Sequence, residues 1–358
     1  MRKVFSLTFL LCLFFHLPAT ATSFIKATDP GFAYVGRISW NTTPEAAVWT
    51  YPGVQIHANF QGTSASMKTN ADCGYFMVEV DDQPAFKVEV LKGTQVTRLI
   101  NGLDEGMHRL TLTYIIEGMY KKPTFYGLML DDGCRLGDRP ALPDRRIEFI
   151  GNSITCGYGI EGNGTEKKFL FSKQNFYHTY AAKTARALNA QCQICARSGI
   201  GLYRNYAGKI PDEIMPNIYP QTFYTTKGEA WDFTRFQPDV VCVNLGCNDT
   251  SVGQYDKELL ADAFKRFTQT LRGYYPKAKI VFIIGAIPFS KKLTDIREAQ
   301  DAAIADAALR GDREVYRMDF TPDDGSLGWG SQGHPSMKRH AVMAEELTAY
   351  LRQLMGGE

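Results

Sequence analysis

The sequence lacks a surplus of either charge. Its 358 residues carry 40 Lys and Arg against 38 Asp and Glu, and Arg2 and Lys3 alone account for the formal +2. A chain this evenly balanced has no electrostatic footprint for a polyanion, which excludes nucleic acid and anionic membrane as leading partners. Long apolar runs are scarce as well. Beyond residues 4–17 no stretch approaches the ~20 residues that a membrane-spanning helix needs. Disorder is excluded by a composition that is 44% hydrophobic and 22% charged. The length suits about two domains.

Several catalytic motifs are missing. There is no G-x-S-x-G, which argues against an ordinary α/β-hydrolase elbow. Neither H-E-x-x-H nor G-x-x-x-x-G-K-[ST] occurs, so no metal, nucleotide or other cofactor is expected. Gly157-Tyr158-Gly159-Ile160-Glu161-Gly162 formally fits G-x-G-x-x-G, but the polar residues after it do not start a helix, and it reads as a glycine turn. His57, His108, His178 and His340 are scattered through expected strands and helices and read as structural.

Disulfides are also in short supply. Cys12 falls in the apolar leader, which leaves Cys73, Cys134, Cys156, Cys192, Cys195, Cys242 and Cys247. An odd number cannot all pair internally, so a disulfide framework is not expected. Cys192 and Cys195 form a C-x-x-C, yet the flanking alternation is that of a strand, where residues three apart face opposite sides. Buried free thiols are the better reading.

What is present begins with export. Arg2 and Lys3, the apolar residues 4–17 and Ala19-Thr20-Ala21 have the order of a secretory signal peptide. The expectation is a leader over residues 1–21 and an exported product, periplasmic or extracellular, with no membrane attachment once the leader is cleaved.

From residue 32 to 130 the pattern is β throughout. Residues 53–60, 75–80, 85–91 and 109–114 alternate with period two, and Asp81-Asp82-Gln83-Pro84 reads as a hairpin turn. A β-sandwich or jelly-roll domain is expected over residues 22–140. Residues 131–145 are dense in Gly, Pro and charge and read as a linker. An α/β domain is then expected over residues 141–358. Strands are expected at 147–150, 239–245, 279–287 and 315–320. Helical faces carry Phe176, Tyr177, Tyr180, Ala181 and Leu188, then Leu259, Leu260, Ala263, Phe264, Phe267 and Leu271. A further helix is expected over 295–309, and Pro335 is expected to open a last one. This alternation means a parallel sheet with helices on both faces, three layers in all.

In such sheets ligands sit beyond the carboxyl ends of the strands. Four small or polar clusters fall there: Gly151-Asn152-Ser153-Ile154-Thr155, Ser198-Gly199-Ile200-Gly201, Gly246-Cys247-Asn248-Asp249, and Trp329-Gly330-Ser331-Gln332-Gly333-His334-Pro335. Together they supply a hydroxyl nucleophile, an imidazole base and two kinds of oxyanion donor, backbone N–H and an Asn amide.

These blocks resemble the SGNH (GDSL-like) hydrolases, with Asn152 where that family usually has Asp. The longer runs 153–159 and 198–206, behind an N-terminal β domain, resemble carbohydrate esterase family 2. The resemblance implies a jelly roll joined to an SGNH domain and a serine esterase removing O-acetyl groups from plant cell-wall polysaccharide, of xylan or glucomannan type. It implies Ser153 as nucleophile, His334 as base, and Ser153 N–H, Gly199 N–H and Asn248 as oxyanion donors. Asp249 reads as a structural acceptor. Tyr158 and Trp329 flank these blocks and are expected to bind an acetylated polysaccharide or oligosaccharide. Ser198 is the fallback nucleophile. Two rival readings are a catalytically silent carbohydrate-binding protein and an SGNH lipase, thioesterase or acyltransferase.

One departure from the family pattern stands out. An Asp is common three residues before the histidine, and here that position is Ser331. No carboxylate occurs between Asp324 and His334. The expectation is a Ser-His dyad, its imidazole oriented by a main-chain carbonyl or a side-chain oxygen within residues 329–332, with Asp319, Asp323 and Asp324 as the remote carboxylates that would refute it.

Overall fold

The computed structural model describes residues 22–118, 122–284 and 290–356; the expected leader lies outside them. Residues 22–131 form two antiparallel sheets. One runs Ser39–Thr42, Glu45–Val48, Thr124–Asp131, Ala65–Thr69, Val96–Ile100, with Thr22–Lys26 also paired to Thr124–Asp131. The other runs Ala33–Val35, Gln55–Gln61, Met107–Tyr114, Tyr75–Val80, Phe86–Glu89. Period two decides which faces meet. Gln55–Gln61 buries Ile56, Ala58 and Phe60 and leaves the residues between them partly exposed. Between the sheets Trp49, Phe76 and Tyr114 pack edge to face, with Trp49 and Tyr114 ring centroids 5.5 Å apart.

The second half is a five-stranded parallel sheet in the order Ala190–Ala196, Arg145–Gly151, Val240–Asn244, Lys279–Ile284, Val315–Asp319. Val240–Asn244 is buried along its whole length, as a strand covered on both faces must be. Tyr180–Ala187 and Met337–Leu354 cover one face, and Lys257–Tyr274 and Lys291–Leu309 the other. Cys192 and Cys195 fall in the cores on opposite faces, both as free thiols. Among the described residues no helix is long and apolar enough to cross a membrane.

Three expected details are corrected. Leu259 is exposed, because it lies about 100° round the helix from the centre of the buried stripe of Leu260, Phe264, Phe267 and Leu271. The helix expected from Phe176 is broken at Thr179, whose hydroxyl caps Tyr180–Ala187, and Phe176–His178 is a separate 3-10 turn. Pro335 stands outside the last helix; Ser336 caps it by accepting from Arg339 N–H. Residues 285–287 of the strand expected at 279–287 lie outside the described residues.

The two halves share a buried polar joint. Arg37, from the β domain, sets its Nη2 3.1 Å from Oε1 of Glu148 on the parallel strand Arg145–Gly151, and neither side chain is exposed. Tyr219 Oη and Gln193 Nε2 donate to the same carboxylate at 2.7 and 3.0 Å, and Arg37 also donates to the carbonyls of Tyr219 and Gln221.

Candidate active site

The strand Arg145–Gly151 has neighbours on both sides, paired through Gly151 to Ala196 and to Asn244. Its carboxyl end is therefore the point where the strand order reverses, the usual crevice of an open α/β sheet. Residue choice at this turn is tightly constrained. A Cβ at Gly151 would lie 2.0 Å from Thr155 Oγ1. Asn152 is buried and its side chain accepts from Ile154 N–H at 3.0 Å, capping the single helical turn Ser153–Cys156. Asn is as good an N-cap as Asp, so the departure from the family's Asp changes little here. Gly157, at φ +76, ends the turn. Ser153 is left half-buried at the head of the turn, its N–H among the unpaired first amides of a helix.

His334 arrives from a loop clamped at its base. Trp329 and Pro335 form a β-bridge, Gly330 N–H donates to His334 O at 2.8 Å, and Ser331 N–H donates to Gly159 O at 2.8 Å. The loop is thus tied to the segment that leaves the Ser153 turn. Its imidazole Nε2 lies 2.9 Å from Ser153 Oγ, and Nδ1 lies 3.2 Å from the main-chain carbonyl of Ser331. A carbonyl only accepts, so the proton sits on Nδ1 and the Nε2 lone pair faces the Ser153 hydroxyl. Burial lowers the His334 pKa, and the carbonyls of Ser331 and Gln332 oppose that shift. The nearby acids are engaged elsewhere. Asp319 pairs with Arg297 and Arg317, Asp323 accepts from Gly325 N–H, and Asp324 accepts from Ser326 N–H.

Gly199 and Asn248 belong to the neighbouring loops. Arg197 N–H donates to Gly151 O at 3.2 Å, holding the loop after Ala190–Ala196 against the Ser153 strand. Gly199 has φ +78, a left-handed conformation that glycine adopts without strain. Asn248 is buried and donates one amide hydrogen to Ile200 O at 2.7 Å, which leaves the other free to turn toward a ligand. Asp249 accepts from the N–H groups of Leu202, Tyr203 and Arg204 at 2.8, 2.9 and 3.3 Å, and so shapes the same loop.

Tyr158 stands with its ring centroid 4.4 Å from that of His334 and stacks on Phe169 at 4.7 Å, while its hydroxyl donates to Gln332. Trp329 lies against Gly325 and Gly164, partly buried, where it packs the loop that carries His334. Ser198 is held by a residue the sequence reading missed. Glu117, fully buried in the segment between the β-domain strands Met107–Tyr114 and Thr124–Asp131, accepts from Ser198 N–H at 2.7 Å and from Ser198 Oγ at 2.5 Å. Burial raises the Glu117 pKa; donors from Ser198 and Gln174 and the charge of Arg197 act against it. The signal in the sequence was a lone acid in the apolar run Tyr114-Ile115-Ile116-Glu117.

A hydroxyl facing a neutral imidazole, beside backbone and amide donors, is equipped for acyl transfer. Comparison with known proteins points the same way. A family model described as carbohydrate esterase 2 N-terminal matches residues 34–140, and one described as GDSL-like lipase/acylhydrolase matches residues 149–342. The cellulase/esterase CelE of Acetivibrio thermocellus is 37% identical over 330 residues, which span 92% of this chain and 40% of that protein. An acetylxylan esterase / glucomannan deacetylase of Cellvibrio japonicus is 31% identical over 342 residues, 94% of this chain and 92% of that protein. The structure of a family two carbohydrate esterase from Clostridium thermocellum in complex with cellohexaose matches with a TM-score of 0.84 at 36% identity, covering 91% of this chain and 99% of that one.

Proposed function

The chain belongs to carbohydrate esterase family 2, and from that premise we propose that it is an exported esterase that removes O-acetyl groups from xylan- or glucomannan-type polysaccharide through a Ser153–His334 dyad. The observation that carries the reading is the 2.9 Å between Ser153 Oγ and His334 Nε2. Ser153 Oγ attacks the acetyl carbonyl while Nε2 takes its proton. The tetrahedral oxyanion is held by Ser153 N–H, Gly199 N–H and the second amide hydrogen of Asn248. Collapse returns the proton from Nε2 to the departing sugar oxygen and leaves an acetyl group on Ser153. Water then attacks with the same assistance, acetate leaves, and Ser153 recovers its proton.

The Ser331 carbonyl fixes the imidazole tautomer by hydrogen bond and supplies no full negative charge. In one triad, loss of the acid that does this costs ~10⁴ in kcat, largely through the wrong tautomer. Here the carbonyl enforces the right tautomer, which keeps a dyad workable for esters, whose leaving groups demand less of the acid–base residue than amides do. Tyr158, its ring 4.4 Å from that of His334, lines the sugar site in this reading, and Trp329 acts on that site through the loop it packs.

The test is acetate release from acetylated xylan and from acetylated glucomannan by the wild-type protein and Ser153→Ala. Release by the wild type alone supports the reading. Release by neither, with binding to the same polysaccharides retained, favours a silent carbohydrate binder, and faster hydrolysis of longer-chain p-nitrophenyl esters than of the acetate favours a lipase or thioesterase.

A further inference from the structure

Glu117 is a buried acid whose carboxylate accepts from three donors, the N–H and hydroxyl of Ser198 and the amide of Gln174, and it has no part in the steps above. It sits just after the strand Met107–Tyr114, in a segment bonded to both halves of the molecule: Gly118 N–H donates to Thr50 O at 2.8 Å, and Phe176 N–H donates to Ile115 O at 2.9 Å. Its carboxylate reaches across the domain boundary to take both donors of Ser198, the residue before Gly199. Its Oε2 also accepts from Gln174 Nε2 at 3.2 Å, and that amide nitrogen lies 3.2 Å from Cys156 O, the last carbonyl of the turn that begins at Ser153. Gln174 is itself fully buried, and its Oε1 accepts from Glu117 N–H at 3.4 Å.

We propose that Glu117 is a positioning residue for the oxyanion hole: a carboxylate supplied by the β domain that holds the Ser198–Gly199 peptide and the Ser153 turn in register with each other. This inference rests on the reading of Gly199 and Ser153 as oxyanion donors. The physical reason is geometric. Gly199 is in a left-handed conformation that many backbone paths can leave, and its φ is secured from one side by the grip on Ser198. An oxyanion donor acts through the short distance it keeps to the developing charge, so a donor that drifts loses its contribution without being deleted. A carboxylate that accepts both Ser198 N–H and Ser198 O–H fixes the peptide in position and in rotation. The β domain is therefore part of the esterase site and not only an attachment beside it.

The experiment measures kcat and KM on p-nitrophenyl acetate, and the inhibition constant of methylboronic acid, for the full chain, Glu117→Gln, Glu117→Ala, Ser198→Ala and Ser153→Ala. Boronic acids form a tetrahedral adduct on a nucleophilic serine with an oxygen in the oxyanion position. Glu117→Ala should lower kcat by at least ~10-fold with KM within about twofold, and weaken boronate binding in parallel, as loss of transition-state contact does. Glu117→Gln keeps an acceptor for Ser198 N–H and should stay within about fivefold of the wild type, and Ser198→Ala, which loses only the hydroxyl, should fall between the two. If Glu117→Ala does not fold, the order wild type, Glu117→Gln and Ser198→Ala in boronate affinity carries the test. An unchanged kcat or boronate constant in folded Glu117→Ala overturns the inference, as does a Gln variant as impaired as Ala at equal thermal midpoint. Activity surviving in Ser153→Ala would instead bring down the underlying reading.

Discussion

The residues at the site differ in which kinetic quantity they govern. In the proposed mechanism Asn248 donates only as charge develops on the carbonyl oxygen, so Asn248→Ala should lower kcat by ~10²–10³ and leave KM little changed. A change confined to KM in steady-state kinetics would make it a ground-state binding residue. His334 must be neutral to accept the Ser153 proton, and burial holds its pKa below the ordinary value of 6.5. The base form therefore persists below pH 6.5, and the acid limb of kcat/KM should fall at a pH lower than that of a free imidazole. A limb at or above pH 6.5 would contradict the burial argument. Asn152 contributes through its cap alone, so Asn152→Asp should retain activity within about threefold, whereas Asn152→Ala should lose ~1 kcal/mol of stability in denaturant unfolding.

At the scale of elements, the last helix carries a second histidine with the opposite duty. His340 is wholly buried, its Nδ1 accepts from Tyr180 N–H at 3.2 Å, and its ring stacks parallel to that of Tyr180. Burial lowers its pKa to about 3. The unfolded chain therefore binds a proton near pH 6.5 that the folded one refuses until about pH 3. Its linkage is absent above pH 6.5 and costs stability progressively as pH falls toward 3. His340→Gln should flatten the decline of the thermal midpoint between pH 6.5 and pH 5; equal slopes for both proteins would remove His340 as the cause.

This scale also separates what the sequence disclosed from what it concealed. Period two located four strands of one β sheet, Gln55–Gln61, Tyr75–Val80, Phe86–Glu89 and Met107–Tyr114, but named no strand of the sheet facing it; the unbroken apolar run at 240–244 identified a central strand, because both patterns are direct consequences of which faces are covered. The four polar clusters could be assigned to one sheet edge for the same reason: a strand that runs into small residues leaves them beyond its carboxyl end. Helix limits were less legible. Thr179 and Ser336 start helices through side-chain caps that compete with the more visible Phe176 and Pro335. Glu117 was illegible as a site residue, since its partners Gln174 and Ser198 lie 57 and 81 positions away and only the folded chain unites them.

For the whole molecule, the two halves act as one body through buried polar groups. Arg37→Met would leave Glu148 buried with Tyr219 and Gln193 but without its cation, a change that costs ~3–5 kcal/mol when one partner of a buried pair is removed. The expected result is a lowered thermal midpoint in calorimetry with a single transition retained; two separated transitions in the wild type would show that the halves unfold independently. The same seam delivers Glu117 to Ser198, so loosening it should reduce activity along with stability.

The central claim is that Ser153 carries the acetyl group between substrate and water. It is met most directly by acid-quenching the protein during turnover of p-nitrophenyl acetate and locating the added acetyl mass by peptide mass spectrometry. The account predicts the acetyl group on the peptide containing Ser153, and neither label nor acetate release in Ser153→Ala. Acetyl on Ser198, or full acetate release from purified Ser153→Ala, would contradict it.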